Sequence, residues 1–288
     1  VPHVYATLAE ADDYILGRGS NLLSGQSAEA AALKLAILES VSRRIDDVAE
    51  RSDFGSGFGP RIGTNRYDGS GGSVLRLHDD LLTVSAITIR PSTASSSTQT
   101  PAADTDYYLV DAMDEYSTGP FRKLLLHGQG SVTSFGYGYR VTDVAGIYGH
   151  QNVTIPTGTT VASGLASDAA ATSFVSSASP ALSPGMTLLI GSEQLYVYVV
   201  SGTTITVVRG ANGSTAATHA NSSAIARYVY DARVHEVGLR LFTKRWKARD
   251  AGADGSDGGG EISMVTGREG EDTIIRRGLS NLVLKSVR

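Results

Sequence analysis

A chain of 288 residues, 41% hydrophobic and 19% charged, is long enough for one large domain or two ordinary ones and too apolar to be disordered. The absence of cysteine excludes disulfides, a thiolate nucleophile and every Cys-ligated metal site. A net charge of −4 argues against binding DNA by bulk positive charge. No apolar run approaches the ~18 residues of a membrane helix, and the opening Val1-Pro2-His3-Val4 predicts no secretory leader.

The first predicted helix starts at Thr7, whose hydroxyl can cap the free N–H groups of the first turn while Glu10 completes a capping box; Gly17 and Gly19 stop it. The second has Ser27 as N-cap, Ala30-Ala31-Ala32 as propagator and an apolar stripe at Leu33, Ile37, Val41, Ile45 and Val48. It ends before Gly55-Ser56-Gly57-Phe58-Gly59-Pro60. From Thr64 to His150 the pattern changes to short strands. Val74–Leu77 follows a turn at Asp68–Gly72, and His78-Asp79-Asp80 reads as a polar turn after it. Val84–Ile89 alternates with one slip that suggests a bulge. Pro91–Pro101 is a Ser/Thr-rich loop, Tyr107–Val110 and Leu124–Leu126 bracket a turn at Ser117–Pro120, and Val132–Tyr139 and Val144–Tyr148 close the region.

Between Gln151 and Ala224 only Asp168, Glu193 and Arg209 are charged, while strands at Met186–Ile190, Gln194–Val200 and Thr204–Val208 are joined by tight turns at Gly191-Ser192-Glu193 and Ser201-Gly202-Thr203. A helix is predicted from Arg227 to Arg249, with Tyr230, Val234, Val237 and Leu241 on its apolar face, widened by Phe242 and Trp246. Its basic excess is free to meet phosphates, an acidic protein surface or solvent. A Gly/Asp linker follows at 251–260. The tail Thr273–Arg288 carries four basic residues, no acidic one, and apolar residues without a clean period, so it needs a surface to lie on, its own or a partner's.

Searches for chemistry return little. The six histidines lack metal-ligand spacing, and neither a Gly-x-Ser-x-Gly elbow nor a P-loop occurs. Asp250, Asp254, Asp257 and Glu261 lie among glycines but without EF-hand spacing; a solvated hinge is the simpler reading. Asp12/Asp13 and Asp46/Asp47 are adjacent on helices and so diverge, as solvated faces would. Tyr137, Tyr139 and Tyr148 beside Arg140 fit base stacking, though sheet packing explains alternating aromatics more simply. No catalytic, cofactor or metal site is expected.

The order of pieces carries a resemblance. Tyr5-Ala6-Thr7-Leu8 opens a capped helix; a long helix ends Ser42-Arg43-Arg44-Ile45-Asp46; then come Asn65-Arg66-Tyr67-Asp68-Gly69, Leu75–Val84, Asp106–Val110, Val132–Gly138 and a helix ending Lys244-Arg245-Trp246. Over residues 4–150 and 227–250 this resembles the head–tail connector (adaptor) family of long-tailed bacteriophages. Two departures are the 151–226 segment and the tail after Gly260. The run Gly191-Ser192-Glu193…Arg209-Gly210-Ala211-Asn212-Gly213-Ser214…His219 is itself similar to a small β-element of phage structural proteins.

The resemblance implies an α+β fold: a small helical bundle core with β-hairpins, an inserted all-β module and an extended C-terminal arm. Residues 1–150 and 227–250 would make the core, 151–226 the insertion and 251–288 the hinge and arm. It implies a structural virion protein rather than an enzyme: a homo-oligomeric ring, commonly of twelve, beneath the portal in the neck between capsid and tail. Assembly would take place in the host cytoplasm. Its partners would be the portal, a stopper or tail-completion protein and double-stranded DNA passing unread through the channel, with no cofactor and no membrane. Leu33, Ile37, Val41, Ile45, Val234, Val237 and Leu241 would pack core and ring. The arm residues Ile274, Ile275, Arg276, Arg277, Leu279, Leu282, Val283, Leu284, Lys285, Val287 and Arg288 would meet the portal. A second reading makes the chain another tail or baseplate component whose β-module binds a host-surface glycan.

Overall fold

The computed structural model describes residues 3–16, 28–51, 57–90, 98–110, 119–166, 168–178, 182–253, 268–280 and 282. Among these residues it contains eleven strands and four α-helices, in two compact units. The expected helical bundle core with short hairpins is therefore incorrect: the protein is mostly β. One unit spans Arg51–Asn152; the other combines the residues up to Glu50 with those from Val153 onward.

The Arg51–Asn152 unit is one antiparallel sheet in the order β1-β5-β2-β4-β3. Its strands are β1 (Arg61–Ser70), β2 (Val74–Ile89), β3 (Tyr107–Val110), β4 (Phe121–Leu126) and β5 (Tyr137–Tyr148). The pieces expected as separate segments at 74–77 and 84–89 are one strand of 16 residues. His78-Asp79-Asp80 lies inside it, and Asp79 and Asp80 are buried rather than in a solvated turn.

Two consecutive residues can both be buried because the register slips beside them, between Arg76 and Leu81 against β4 and between Leu81 and Thr83 against β5. The slip expected within 84–89 is present between Val84 and Ala86. The core beneath the sheet gathers Leu75, Leu77, Leu81, Leu124, Phe135 and Val144.

A buried carboxylate needs donors, and Asp80 has them. Arg122 Nε donates to Oδ1 at 2.7 Å, and Arg51 Nη2 lies 2.8 Å from Oδ2. Arg51 is itself buried, with its guanidinium carbon 4.4 Å from the centre of the Phe58 ring. Burial pushes the Asp80 carboxyl up, but the His150 imidazole and the two guanidinium groups outweigh it and hold it well below the carboxylate range. Asn65 Nδ2 donates to Asp79 Oδ2 at 2.6 Å.

The second unit contains a closed barrel in the order β10-β7-β6-β11-β8-β9. Its strands are β6 (Val153–Ser163), β7 (Ser173–Ser176), β8 (Thr187–Ile190), β9 (Glu193–Ser201), β10 (Thr204–Val208) and β11 (Ala224–Val229). The hairpins β8–β9 and β9–β10 turn at Gly191 and Gly202, with φ of 61° and 59°, the left-handed geometry that tight two-residue loops demand. Leu188, Leu195, Val197, Ile205 and Ile225 fill the barrel.

The four helices belong to the same unit: α1 (Leu8–Leu16), α2 (Ala28–Val48), α3 (Ala232–Ala253) and α4 (Arg268–Gly278). The capping box stands as read, Glu10 N donating to Thr7 Oγ1 at 3.3 Å and Thr7 N to Glu10 Oε2 at 2.8 Å. The stops at Gly17 and Gly19 and the Ser27 cap lie outside the described residues.

Leu35, Leu38, Leu239, Phe242 and Trp246 share a core cluster with Tyr196, which projects outward from the barrel and donates from its hydroxyl to Glu39 Oε1 at 2.8 Å. The α2 stripe needs one correction. Steps of four drift about 40° each on a 3.6-residue helix, so three steps carry Leu33 about 120° from Ile45. Leu33 is 38% exposed, and Leu35 and Leu38 are buried instead.

Two further expectations fail. Arg227 belongs to β11, so α3 begins at Ala232. The tail is not an extended arm through 268–278: it is α4, and in and just after this helix Ile275, Leu279 and Leu282, spaced four and three apart, are buried. Their period was masked by the neighbouring Ile274, Val283 and Leu284. Ion pairs from Arg245 to Glu271 and from Arg44 to Asp272 hold the helix. Gly278 lets it approach α3, since a Cβ there would collide with Val237.

Replacing Asp80 with Ala strands Arg51 in the core and should destabilise the chain by about 3 kcal/mol in urea unfolding. Asp143→Ala, which releases the more exposed Arg66 and Arg90, should cost about 1 kcal/mol or less. Equal losses would show that the Asp80 cluster is not a buried charge pair in effect.

Candidate functional site

Three places concentrate polar or exposed side chains. The first is a cavity of about 240 Å³ lined by the segment Val4–Thr7, Glu10 of α1, Met186, the Arg227–Tyr230 segment and His235 of α3. His235 Nε2 lies 3.3 Å from Glu10 Oε2, which also accepts from the Thr7 hydroxyl at 2.8 Å. A nucleophilic triad requires the imidazole between hydroxyl and carboxylate. Here the carboxylate lies between the other two, so no imidazole is placed to take the Thr7 proton. The group closes the helix N-terminus and joins α1 to α3.

Burial raises the Glu10 carboxyl, but His235 and Thr7 outweigh it and hold it at about 2. The hydrogen bond to Glu10, working against burial, raises His235.

The second place is the β9–β10 end of the barrel. Glu193 is fully buried and receives Arg209 in bidentate fashion, Nε to Oε1 and Nη2 to Oε2, both at 2.7 Å. Gly210 N donates to Oε1 at 3.0 Å and Ala217 N to Oε2 at 3.1 Å, and His219 Nε2 lies 2.7 Å from Oε2. Burial pushes this carboxyl up; Arg209 and the other donors bring it to about 2. The Glu193…Arg209-Gly210…His219 pattern is thus one folded cluster that fixes the 209–219 loop. Every acceptor is occupied by the protein's own donors, which makes it a structural site.

The third place is the outer surface of the strands. Tyr137 and Tyr139 are 76% and 79% exposed, so the expectation that they pack in the sheet is wrong. Arg140 lies 5.8 Å from the Tyr139 ring centre, and Tyr148 alone of the three is buried. Tyr198, Val199 and Val208 are exposed on the barrel, and Val74 and Tyr108 on the sheet.

The residues singled out from sequence divide in the same way. Val41, Ile45, Val234, Val237 and Leu241 are buried, and Ile37 is half-buried. In and after α4, Ile275, Leu279 and Leu282 are buried, Ile274 is half-buried and Arg276 and Arg277 are exposed. Val283, Leu284, Lys285, Val287 and Arg288 lie outside the described residues, as do Asp254, Asp257 and Glu261.

Of the basic residues of the third helix, Arg233, Arg240 and Arg245 are paired, with Asp231, Glu236 and Glu271. Asp12 and Asp46 are not solvated faces. Asp12 pairs with the buried Lys34 at 2.8 Å, and Asp46 accepts from the Tyr5 hydroxyl and lies 2.9 Å from His3 Nε2. Among the described residues no group of three metal-ligating side chains occurs, and no helix is long and apolar enough to cross a membrane. No family model, curated protein or solved structure matches the chain.

Glu193→Gln should destabilise the chain by roughly 3 kcal/mol at neutral pH. Because the folded carboxyl lies below its ordinary value of 4.5, its contribution is complete above that pH and is lost as pH falls toward about 2. The gap between wild type and variant in denaturant melts should close over that range; a constant gap would remove the charge from the explanation.

The Glu10–His235 bridge is complete between the ordinary carboxylate and imidazole values and weakens as pH rises through the raised His235 value. The cost of His235→Gln, below about 1 kcal/mol because both groups are part-exposed, should therefore be larger at mildly acidic than at alkaline pH. A pH-independent cost would assign it to packing.

Proposed function

We propose that this chain is a structural virion protein, a head-to-tail adaptor that assembles as a ring beneath the portal and joins it to the stopper or tail around a DNA channel. The observation that carries the assembly part of this reading is the placement of exposed large apolar side chains. They lie in groups on outward strand faces of both units: Tyr198, Val199 and Val208; Val153 and Ile155; Val74 and Tyr108; Tyr137 and Tyr139. Grouped apolar exposure marks surfaces made for partners.

The buried carboxylates point the same way. Asp46, Asp80 and Glu193 each meet donors from the chain itself, which supports giving these carboxylates a structural part in this reading. The adaptor identity rests on the sequence resemblance, and with it the ring, the portal, the tail partner and the neck location. The exposed cations Arg276 and Arg277 of α4 supply the portal contact in this reading, in place of a free arm.

Mass photometry of the chain with its cognate portal ring should show one discrete heavier species. Arg276→Glu with Arg277→Glu should weaken that species about tenfold or more while leaving the thermal melt unchanged. No association at assembly salt would overturn the adaptor reading.

A further inference from the structure

Tyr137 and Tyr139, at 76% and 79%, are the most exposed large apolar side chains among the described residues. In the register of β1 and β5, Tyr67 stands opposite Thr142 and Gly69 opposite Gly138, so Tyr139, Arg140 and Val141 bulge against Asp68 alone. Arg140 takes a φ of 53°, in the left-handed region that costs a non-glycine residue energy. Its N–H donates to Asp68 Oδ1 at 2.8 Å. A Cβ at Gly69 would collide with the Phe135 and Gly136 carbonyls, and Gly71 N donates to Gly136 O at 2.6 Å. The two tyrosines therefore stand on a tightly held backbone, which lowers the cost of fixing them against a ligand.

The same face carries guanidinium groups. Ser70 lies opposite Tyr137, and Ser70, Asp68 and Arg66 alternate with the buried Gly69 and Tyr67 on the outward side of β1. Asp143, opposite Arg66, accepts from Arg66 Nε at 3.0 Å and also from Arg90 Nη2. The Arg140 guanidinium carbon lies 5.8 Å from the Tyr139 ring centre. Three guanidinium groups thus stand with two carboxylates, and the undescribed residues 91–97 that follow Arg90 carry no charge. The exposed residues set against the tyrosines by register or contact are Ser70, Gly71, Asp68 and Arg140, none of them aliphatic. A protein partner would find no apolar core there. Flat rings among small polar groups and cations suit planar bases and phosphates instead.

We infer that this β1–β5 face binds a nucleic-acid strand with unpaired bases, Tyr137 and Tyr139 stacking on bases while Arg140, Arg66 and Arg90 meet phosphates. The inference goes beyond the ring reading above and does not depend on it. Duplex DNA is the poorer occupant, because its bases already stack on one another inside the helix and leave the rings only backbone to touch. The net charge of −4 is no obstacle, since stacking rather than bulk positive charge supplies the affinity.

The test is fluorescence anisotropy of a labelled oligothymidylate, a labelled DNA duplex of the same length and a labelled neutral dextran, each titrated with the full chain at about 50 mM salt. The oligothymidylate should bind most tightly. Tyr137→Ala with Tyr139→Ala should weaken it about tenfold or more, whereas Tyr137→Phe with Tyr139→Phe, which keeps the rings, should stay within about twofold of wild type. Arg140→Gln should lower the slope of log K against log salt by about 0.7. Thermal melts of the variants should match wild type, because the substituted side chains are exposed. Absent binding by wild type, undiminished binding by the alanine pair, equal loss in the phenylalanine pair, or preference for duplex or dextran overturns the inference. None of these outcomes touches portal association, which tests the ring reading separately.

Discussion

Glu193 is an ionised side chain with no route to water, and a charge in that position is tolerable only if the protein supplies nearly every donor it needs. Arg209, His219 and two backbone N–H groups do so, and in converging on one carboxylate they fix the loop that crosses the barrel end. That loop carries Ala211, which joins Tyr196 in the cluster beneath α2 and α3. The helices of this unit therefore rest on a barrel surface whose shape depends on one buried charge. With the loop free to move, Leu38, Phe242 and Trp246 would face a shifting surface, and close packing does not survive that.

The other unit solves a similar problem around Asp80. Arg51 and Arg122 reach a strand interior that the local pattern would have placed in solvent, and the register slips of β2 make room for them. Such clusters add little net stability compared with an apolar core, but breaking one is costly. They make each unit's internal arrangement specific. With so many ionisable groups turned inward, the outward strand faces carry tyrosine, valine and isoleucine.

Several features were legible along the chain because their causes are local. The Thr7–Glu10 capping box, the tight turns at Gly191 and Gly202 and the strands of the barrel hairpins each depend on residues within a few positions. The apolar period of α4 was hidden because Ile274 and Leu284 sit beside the residues that set it; only packing against α3 separates Ile275 and Leu279 from their neighbours. Leu33 was misread for a related reason: a step of four drifts around the helix, and the buried face of α2 is decided by what it packs against.

By itself the sequence determined the caps, the glycine turns, the lack of thiol chemistry and the conspicuous grouping of Glu193, Arg209 and His219. Tertiary structure decided that these three meet, that Asp79 and Asp80 lie inside a continuous strand, and that Tyr137 and Tyr139 stay outside the core. The physical reason is common to all of them. Whether a polar residue is buried or an aromatic one exposed depends on donors and surfaces contributed from far along the chain: Arg51 and Arg122 for Asp80, His219 for Glu193, and the register of β1 against β5 for the two tyrosines.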